Sequence, residues 1–365
     1  VQTQKYFVLD GQHRLAALRY LLSYRAGMDR DDDFPKAIDL EKDQLTVLFV
    51  THKEMKSQEL TKEEFRKRSR KIFAVLNRHA KRTTLVENIT IDEDDLAAII
   101  SRELVERNDI VDGMFYWSGN EETSPRVNTK STSLREGDGH LTTLSTLYEM
   151  NKQFITHIFG WSEVDFQFLH DLTESEVEDM KNQIYLIWDE LFKTLDFWKT
   201  SDPGLMKNHT PPEKRDDDSM DHLLFWPVGQ IGLAKYIATE LDEELGNDEI
   251  NSKAIKKVLK NLENIDWDMF SPPWKGYILR EVATKPDPSN RVKNQEWQWK
   301  MGNSGKYQER VTEMIRFLLG KAYTEKDLEE ALKSKWDSTL ELNRPTDDEI
   351  NKMWKSILNQ RKNLT

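Results

Sequence analysis

The chain contains no cysteine. Disulfides, cysteine-ligated zinc and thiolate chemistry are therefore excluded. No apolar run approaches the 18 residues of a membrane-spanning helix, and no basic segment followed by an apolar stretch marks a secretory leader. These two absences lead us to expect an intracellular, cytoplasmic protein. The eight histidines show no His-Glu-x-x-His or comparable spacing, which argues against a dedicated metalloenzyme. Gly-x-Ser-x-Gly is missing too, and no Ser-His-Asp arrangement is legible. No internal repeat is visible.

What is present describes a folded protein of one large or two smaller domains. Hydrophobic residues make up 37% of 365, with 10% aromatic, enough to bury a core. The net charge of −12 argues against a surface coated for nucleic-acid binding. The charge is uneven, however. Between Lys62 and Arg82 lie nine Lys or Arg against Glu63 and Glu64, whereas acids gather at Asp31–Asp33, Asp92–Asp95 and Asp216–Asp218. Screening confines fields to about 8 Å at physiological salt, so one basic element can still meet a polyanion. A solvated helix face is the plain alternative.

Phe7 to Leu18 read FVLDGQHRLAAL: an apolar strand, a turn, then an amphipathic helix. Gly11 permits a tight turn, and the helix start points unpaired N–H groups and its positive dipole end at whatever occupies that turn. His13 and Arg14 add donors, and an Arg grips phosphate with two parallel bonds. Asp10 either caps the helix or holds a metal ion. The bland reading is a common Asp-Gly turn with a solvated Arg14.

Around this segment the order is strand, motif, helix through Tyr24, strand Gln44–Val50 and a helix opened by Thr61 with Glu64 three residues on. That order predicts an α/β (or α+β) domain over residues 1–112. The strand Lys5–Leu9 lies so near the start that we expect an N-terminal portion to precede it. Residues 113–140, rich in Gly, Ser, Thr and Asn with a strand predicted at Met114–Trp117, read as a linker. Residues 141–365 read as a mainly helical domain. The predicted helices are Leu141–Phe159, Thr173–Lys199, Asp221–Leu241, Ser252–Asn264, Gln308–Leu319, Glu325–Lys335 and Asp347–Gln360, with breaks at Pro211-Pro212 and Pro272-Pro273. Asp92 is expected to cap the helix that follows it; the alternative is Mg²⁺ ligation by Asp92, Asp94 and Asp95.

Asp10-Gly11-Gln12-His13-Arg14 resembles the signature of the DGQHR-domain proteins, distant relatives of the ParB and sulfiredoxin fold. The resemblance implies a ParB/sulfiredoxin-like N-terminal domain whose turn binds nucleotide phosphates. Gln12 stands where sulfiredoxin-type enzymes carry their reactive cysteine, so that chemistry is excluded. Ile72 to Ala98 resembles a second block of the same family, with Asn77, Arg78, Lys81 and Arg82 at the end of a helix. Cations there either serve the helix dipole or meet phosphates. His222 to Ile237, HLLFWPVGQIGLAKYI, then Trp267 to Arg280 and Asn290 to Gly320 resemble DndB-type proteins of DNA phosphorothioation systems, so the resemblance covers most of the chain to about Gly320.

This resemblance implies a DNA-binding regulator or accessory protein of DNA sulfur modification. Its partners would be double-stranded DNA and other proteins of the system, with self-association open. Arg66, Arg70, Asn77, Arg78, Lys81 and Arg82 would contact DNA. The alternative is an ATPase or other nucleoside triphosphatase. There Gly11, Gln12, His13 and Arg14 hold ATP or another triphosphate, Asp10 holds Mg²⁺, and Asp10, His13 and Arg14 are catalytic. A nuclease is the weakest option, since no specific carboxylate cluster is present. Trp267, Trp274, Trp297 and Trp299 read first as core packing and only second as platforms for bases.

Overall fold

The structure is a computed structural model that describes residues 84–116, 126–162, 169, 172–216, 218–246, 248–283, 297–321, 326, 330 and 346–365. The chain divides into two compact units, residues 1–83 and 84–365. The strands, helices and ParB-like fold expected before residue 84 lie outside the described residues.

The described part of the second unit is mainly helical. Helix α1 (Leu85–Ile91) opens with a capping box, in which the Thr84 hydroxyl accepts from the Glu87 amide and the Glu87 side chain returns to the Thr84 amide. In α2 (Leu96–Glu106) the cap is Asp95, whose carboxylate accepts from the Ala98 amide. This corrects the expectation for Asp92, which closes α1 and takes the Asp94 amide on its side chain. Asp95 is buried and also accepts the Tyr148 hydroxyl at 2.8 Å. Burial raises its pKa above the ordinary value, against the pull of the Ala98 and Tyr148 bonds. Arg102 donates to the Ile89 and Asp92 carbonyls, tying off the end of α1.

The predicted strand at Met114–Trp117 is instead a turn up to Tyr116. Val111, Asp112 and Gly113 all have positive φ, at 53°, 51° and 67°, which reverses the chain and drops Phe115 into the core. Its ring meets Trp188 edge-on at 5.2 Å and Phe192 at 5.1 Å. Residues 113–140, read as a linker, are packed where they are described: Phe115, Val127 and Leu134 are buried, and β1 (Val127–Asn128) pairs in parallel with β2 (Thr142–Thr143).

Next come α3 (Leu144–Ile158), α4 (Glu174–Thr194) and the short α5 (Phe197–Thr200). The helix expected to run unbroken from Thr173 to Lys199 thus pauses at Leu195–Asp196. Asn151 of α3 donates to the Ser101 hydroxyl at 2.9 Å and accepts from Trp188 Nε1 at 2.8 Å, a buried polar tie between α2, α3 and α4. Helix α6 (Pro227–Leu245) is buried on nearly every side, with Val228 to Ala234 and Tyr236 to Ala238 all inside. It packs on α3 and on α8 (Gly305–Leu318). Helix α7 (Ser252–Leu259) ends before a left-handed Asn261. Strands β3 (Leu279–Ala283) and β4 (Trp297–Met301) form an antiparallel pair, and α9 (Asp347–Leu364) lies on α8. The helix expected at Glu325–Lys335 falls almost wholly outside the described residues.

The α6–α8 contact depends on Gly232. A Cβ there would sit 2.6 Å from Val311 Cβ and 2.9 Å from the Gln308 carbonyl oxygen, while Thr312 Oγ1 donates to the Gly232 carbonyl at 2.8 Å. Gly232→Ala is expected to destabilise the protein by about 1–3 kcal/mol through overpacking. A urea titration would show it as a lower midpoint at unchanged slope.

Candidate functional site

Asp10, Gly11, Gln12, His13 and Arg14, with Arg66, Arg70, Asn77, Arg78, Lys81 and Arg82, all lie outside the described residues. Among the described residues no group of three or more His, Asp or Glu side chains is arranged to hold a metal ion. Asp94 and Asp95 take part in the turn and cap described above.

The densest buried polar chemistry in the described residues lies where α6 begins. Three stretches of loop are joined there by backbone bonds. The Gly137 amide donates to the Lys207 carbonyl at 2.9 Å, the His222 amide to the Met206 carbonyl at 3.0 Å, and the Met269 amide to the Asp221 carbonyl at 2.8 Å. Bridges Lys207–Asp221 and His222–Asp268 continue the ladder. A row of charges is carried inward on it.

Asp221 is fully buried, and both its oxygens are used. Oδ2 meets His209 Nδ1 at 2.6 Å and Oδ1 accepts from Trp226 Nε1 at 2.8 Å. The His209 ring also lies flat on Trp226, 4.6 Å between centroids and 11° between planes. Burial raises the Asp221 pKa, and Asp268 adds to the rise, while the His209 and Trp226 bonds oppose it. The contact with Asp221 fixes the Nδ1 edge of the His209 ring inward, and the stacking on Trp226 fixes its plane, so this 20%-exposed side chain is held in one orientation. Alongside, Arg215 pairs with Asp268 through both nitrogens, and Asp268 takes the Phe270 amide.

His222 is enclosed by Phe197, Phe225 and Trp267. Its Nδ1 accepts from the Leu224 amide at 3.2 Å, so the ring caps the short turn Leu223–Phe225. Complete burial pushes its pKa down to about 3, so it is neutral in the fold. Lys207 is fully buried, with Nζ 2.7 Å from the Pro203 carbonyl and 5.6 Å from the centre of the Phe225 ring. Burial lowers its pKa to about 8, against the pull of Asp138 and Asp202 and with a push from Arg126.

The stretch His222–Gln230 is thus accounted for residue by residue, and the account is architectural. Pro227 opens α6 at a position that needs no N–H. Gly229 cannot carry a Cβ, which would sit 2.2 Å from the Leu223 carbonyl oxygen. Gln230 accepts from Thr142 Oγ1 at 2.7 Å and donates to the Leu141 and Leu224 carbonyls at 2.9 and 3.0 Å. Reading the sequence missed Lys207, His209 and Asp221. Nothing local distinguishes a buried Lys or His in a polar loop, and only the backbone ladder brings 209 to 221. Trp267 and Trp274 stack at 5.5 Å inside the core, as the packing reading held.

Two pH effects follow. His222 is neutral when folded and titrates near 6.5 when unfolded, so its contribution is lost as pH falls below about 6.5. His222→Asn, which retains a capping acceptor, is expected to flatten that acid limb in urea titrations between pH 7 and 5. Lys207 binds its proton less tightly in the folded state, so the wild type should gain stability from pH 8 to 10. Lys207→Met should abolish that rise, which amounts to at most about 3 kcal/mol.

Nothing among curated proteins and nothing among solved structures matches the chain. One family does: the profile of DndB, described as DNA-sulfur modification-associated, matches residues 1–301. That span includes the Asp10–Arg14 motif, the basic segment from Lys62 to Arg82 and the whole His222–Gln230 stretch. No helix of the described residues is long and apolar enough to cross a membrane. The chain belongs to the DndB family of DNA-sulfur modification-associated proteins.

Proposed function

We propose that this protein is a cytoplasmic, DNA-binding regulator or accessory protein of a DNA phosphorothioation system, and that its Asp10–Arg14 turn holds a nucleoside triphosphate. The observation that carries the reading is the family match, which spans the turn and the basic segment together. The chemistry of both segments agrees with it. A Gly-containing turn at a helix start receives phosphate oxygens, His13 and Arg14 neutralise them, and Asp10 supplies an oxygen ligand for Mg²⁺. Arg66, Arg70 and Arg78, with Asn77, Lys81 and Arg82, supply donors and positive charge for DNA phosphates. Should the triphosphate be hydrolysed, the same His13 and Arg14 would stabilise charge on the transferred phosphoryl group.

Two measurements test this. Calorimetric titration of ATP, GTP and CTP with Mg²⁺ is expected to give binding to the wild type and none to Arg14→Ala; equal heats for both proteins would sink the nucleotide assignment. The triple reversal R66E/R70E/R78E is expected to abolish binding to duplex DNA in a fluorescence anisotropy assay at low salt. Unchanged affinity would remove the basic segment from the DNA interface.

A further inference from the structure

Residues 250–262 hold four lysines and no acid, in a chain of net charge −12. The preceding stretch carries Glu240, Asp242, Glu243, Glu244, Asp248 and Glu249, and the following one Glu263, Asp266 and Asp268. Lys253, Lys256, Lys257 and Lys260 are spaced i, i+3, i+4, i+7, which places them on one face along α7 and just past its end. All four are exposed. The opposite face, Ala254, Ile255, Val258 and Leu259, is buried against α4 and α6.

The fold also decides what each lysine does. The two outer ones are paired with the flanking helices: Lys256 reaches Glu190 of α4 at 3.5 Å, and Lys257 reaches Glu244 of α6 at 2.6 Å. Glu190 is buried, takes the Ser252 hydroxyl at 3.1 Å and holds Lys193 at 3.1 Å as well, so a fifth ammonium joins the patch. The two central ones, Lys253 and Lys260, have no ion pair among the described residues and face outward between those flanks. Asn251 caps the helix start through the Ala254 amide, and the Asn261 side chain donates to the Leu364 carbonyl at 2.7 Å, so the stripe sits on a fixed support.

We infer that this lysine stripe is a second DNA-backbone contact surface, separate in sequence from the Lys62–Arg82 segment and carried by the helical unit. The inference rests on the DNA-binding reading above. Glu190 and Glu244 hold Lys193, Lys256 and Lys257, while Lys253 and Lys260 have no ion pair among the described residues, so the stripe presents two ammoniums outward that a polyanion fits. Seven residues of helix separate the two unpaired ammoniums by about 10 Å. That is about three base-pair steps of duplex at 3.4 Å each, so both can reach phosphates of one DNA molecule. The surface presents no base-reading groups, and it adds affinity without sequence preference.

Binding of the full chain to a labelled duplex, followed from 50 to 200 mM salt, tests the inference. Compared are wild type, K253Q/K260Q, the control K352Q/K355Q on α9 and R66E/R70E/R78E. Removing two phosphate contacts should lower the slope of log K against log salt by about 2, so that K253Q/K260Q loses roughly tenfold less affinity over that range. The control should follow the wild type, and melting temperatures of the two lysine variants should match it. A K253Q/K260Q slope equal to wild type overturns the second surface and leaves the stripe to an acidic protein. The Arg-reversal result then separately reports whether the first DNA surface stands. A wild type that binds no duplex at low salt overturns the DNA-binding reading and this inference together.

Discussion

A helix enclosed by protein has no water available at its ends, and α6 meets that condition for most of its length. Its entry is therefore the constraint around which the helical unit is arranged. Gln230 meets it with one buried amide that ties two further pieces of chain to the helix, through the Thr142 hydroxyl and Leu141 carbonyl of one and the Leu224 carbonyl of the other. A fully satisfied amide in a low-dielectric interior is rigid, whereas a half-satisfied one would be costly. Thr142 in turn belongs to β2, which leads into α3, and α3 is the principal partner of α6. One side chain thus sets the register between the central helix and β2, which pairs with β1 of the segment read from sequence as a linker.

The same end of α6 carries charges that would be expensive in isolation. Asp221 and Lys207 are fully buried, and Asp268 and Arg215 nearly so. Arg215 pairs with Asp268, His209 Nδ1 and Trp226 Nε1 meet the two oxygens of Asp221, and Lys207 Nζ donates to the Pro203 carbonyl. Pairs of this kind add little net stability against an apolar filling, but breaking one partner is severe. Their effect here is geometric: they fix how the loop of residues 202–222 lies across the start of the helix, and they leave the outward nitrogen of His209 in one orientation.

Much of the helical unit was legible because its signals are local. The spans Leu141–Phe159, Thr173–Lys199 and Gln308–Leu319 predicted α3, α4 and α8, whereas the helix expected from Asp221 begins only at Pro227, after the turn Leu223–Phe225. Local signals failed where a tertiary contact chose between equals. Three aspartates within four residues offered several caps, and Asp95 is the one that the Tyr148 hydroxyl and the core hold in place. The aromatic run at 114–117 suggested a strand, yet three successive positive φ angles turn the chain before Phe115. The stretch His222–Ile237, which carried the family resemblance of the second half, forms the joinery of α6. The Asp10–Arg14 turn and the basic segment were read from sequence alone, and Lys207, His209 and Asp221 only from structure.

The family profile matches as far as residue 301, short of the Gly320 expected from the sequence, but the core does not stop there. Helix α8 fills the groove that Gly232 opens on α6, Trp354 of α9 stacks on Phe317 at 5.7 Å, and the Leu364 carbonyl anchors Asn261 at the foot of α7. Homology and autonomy therefore have different borders in this protein. A fragment trimmed to the homologous region would bare one flank of its central helix to water. Its behaviour in solution would then report on that exposed flank rather than on the family's shared chemistry.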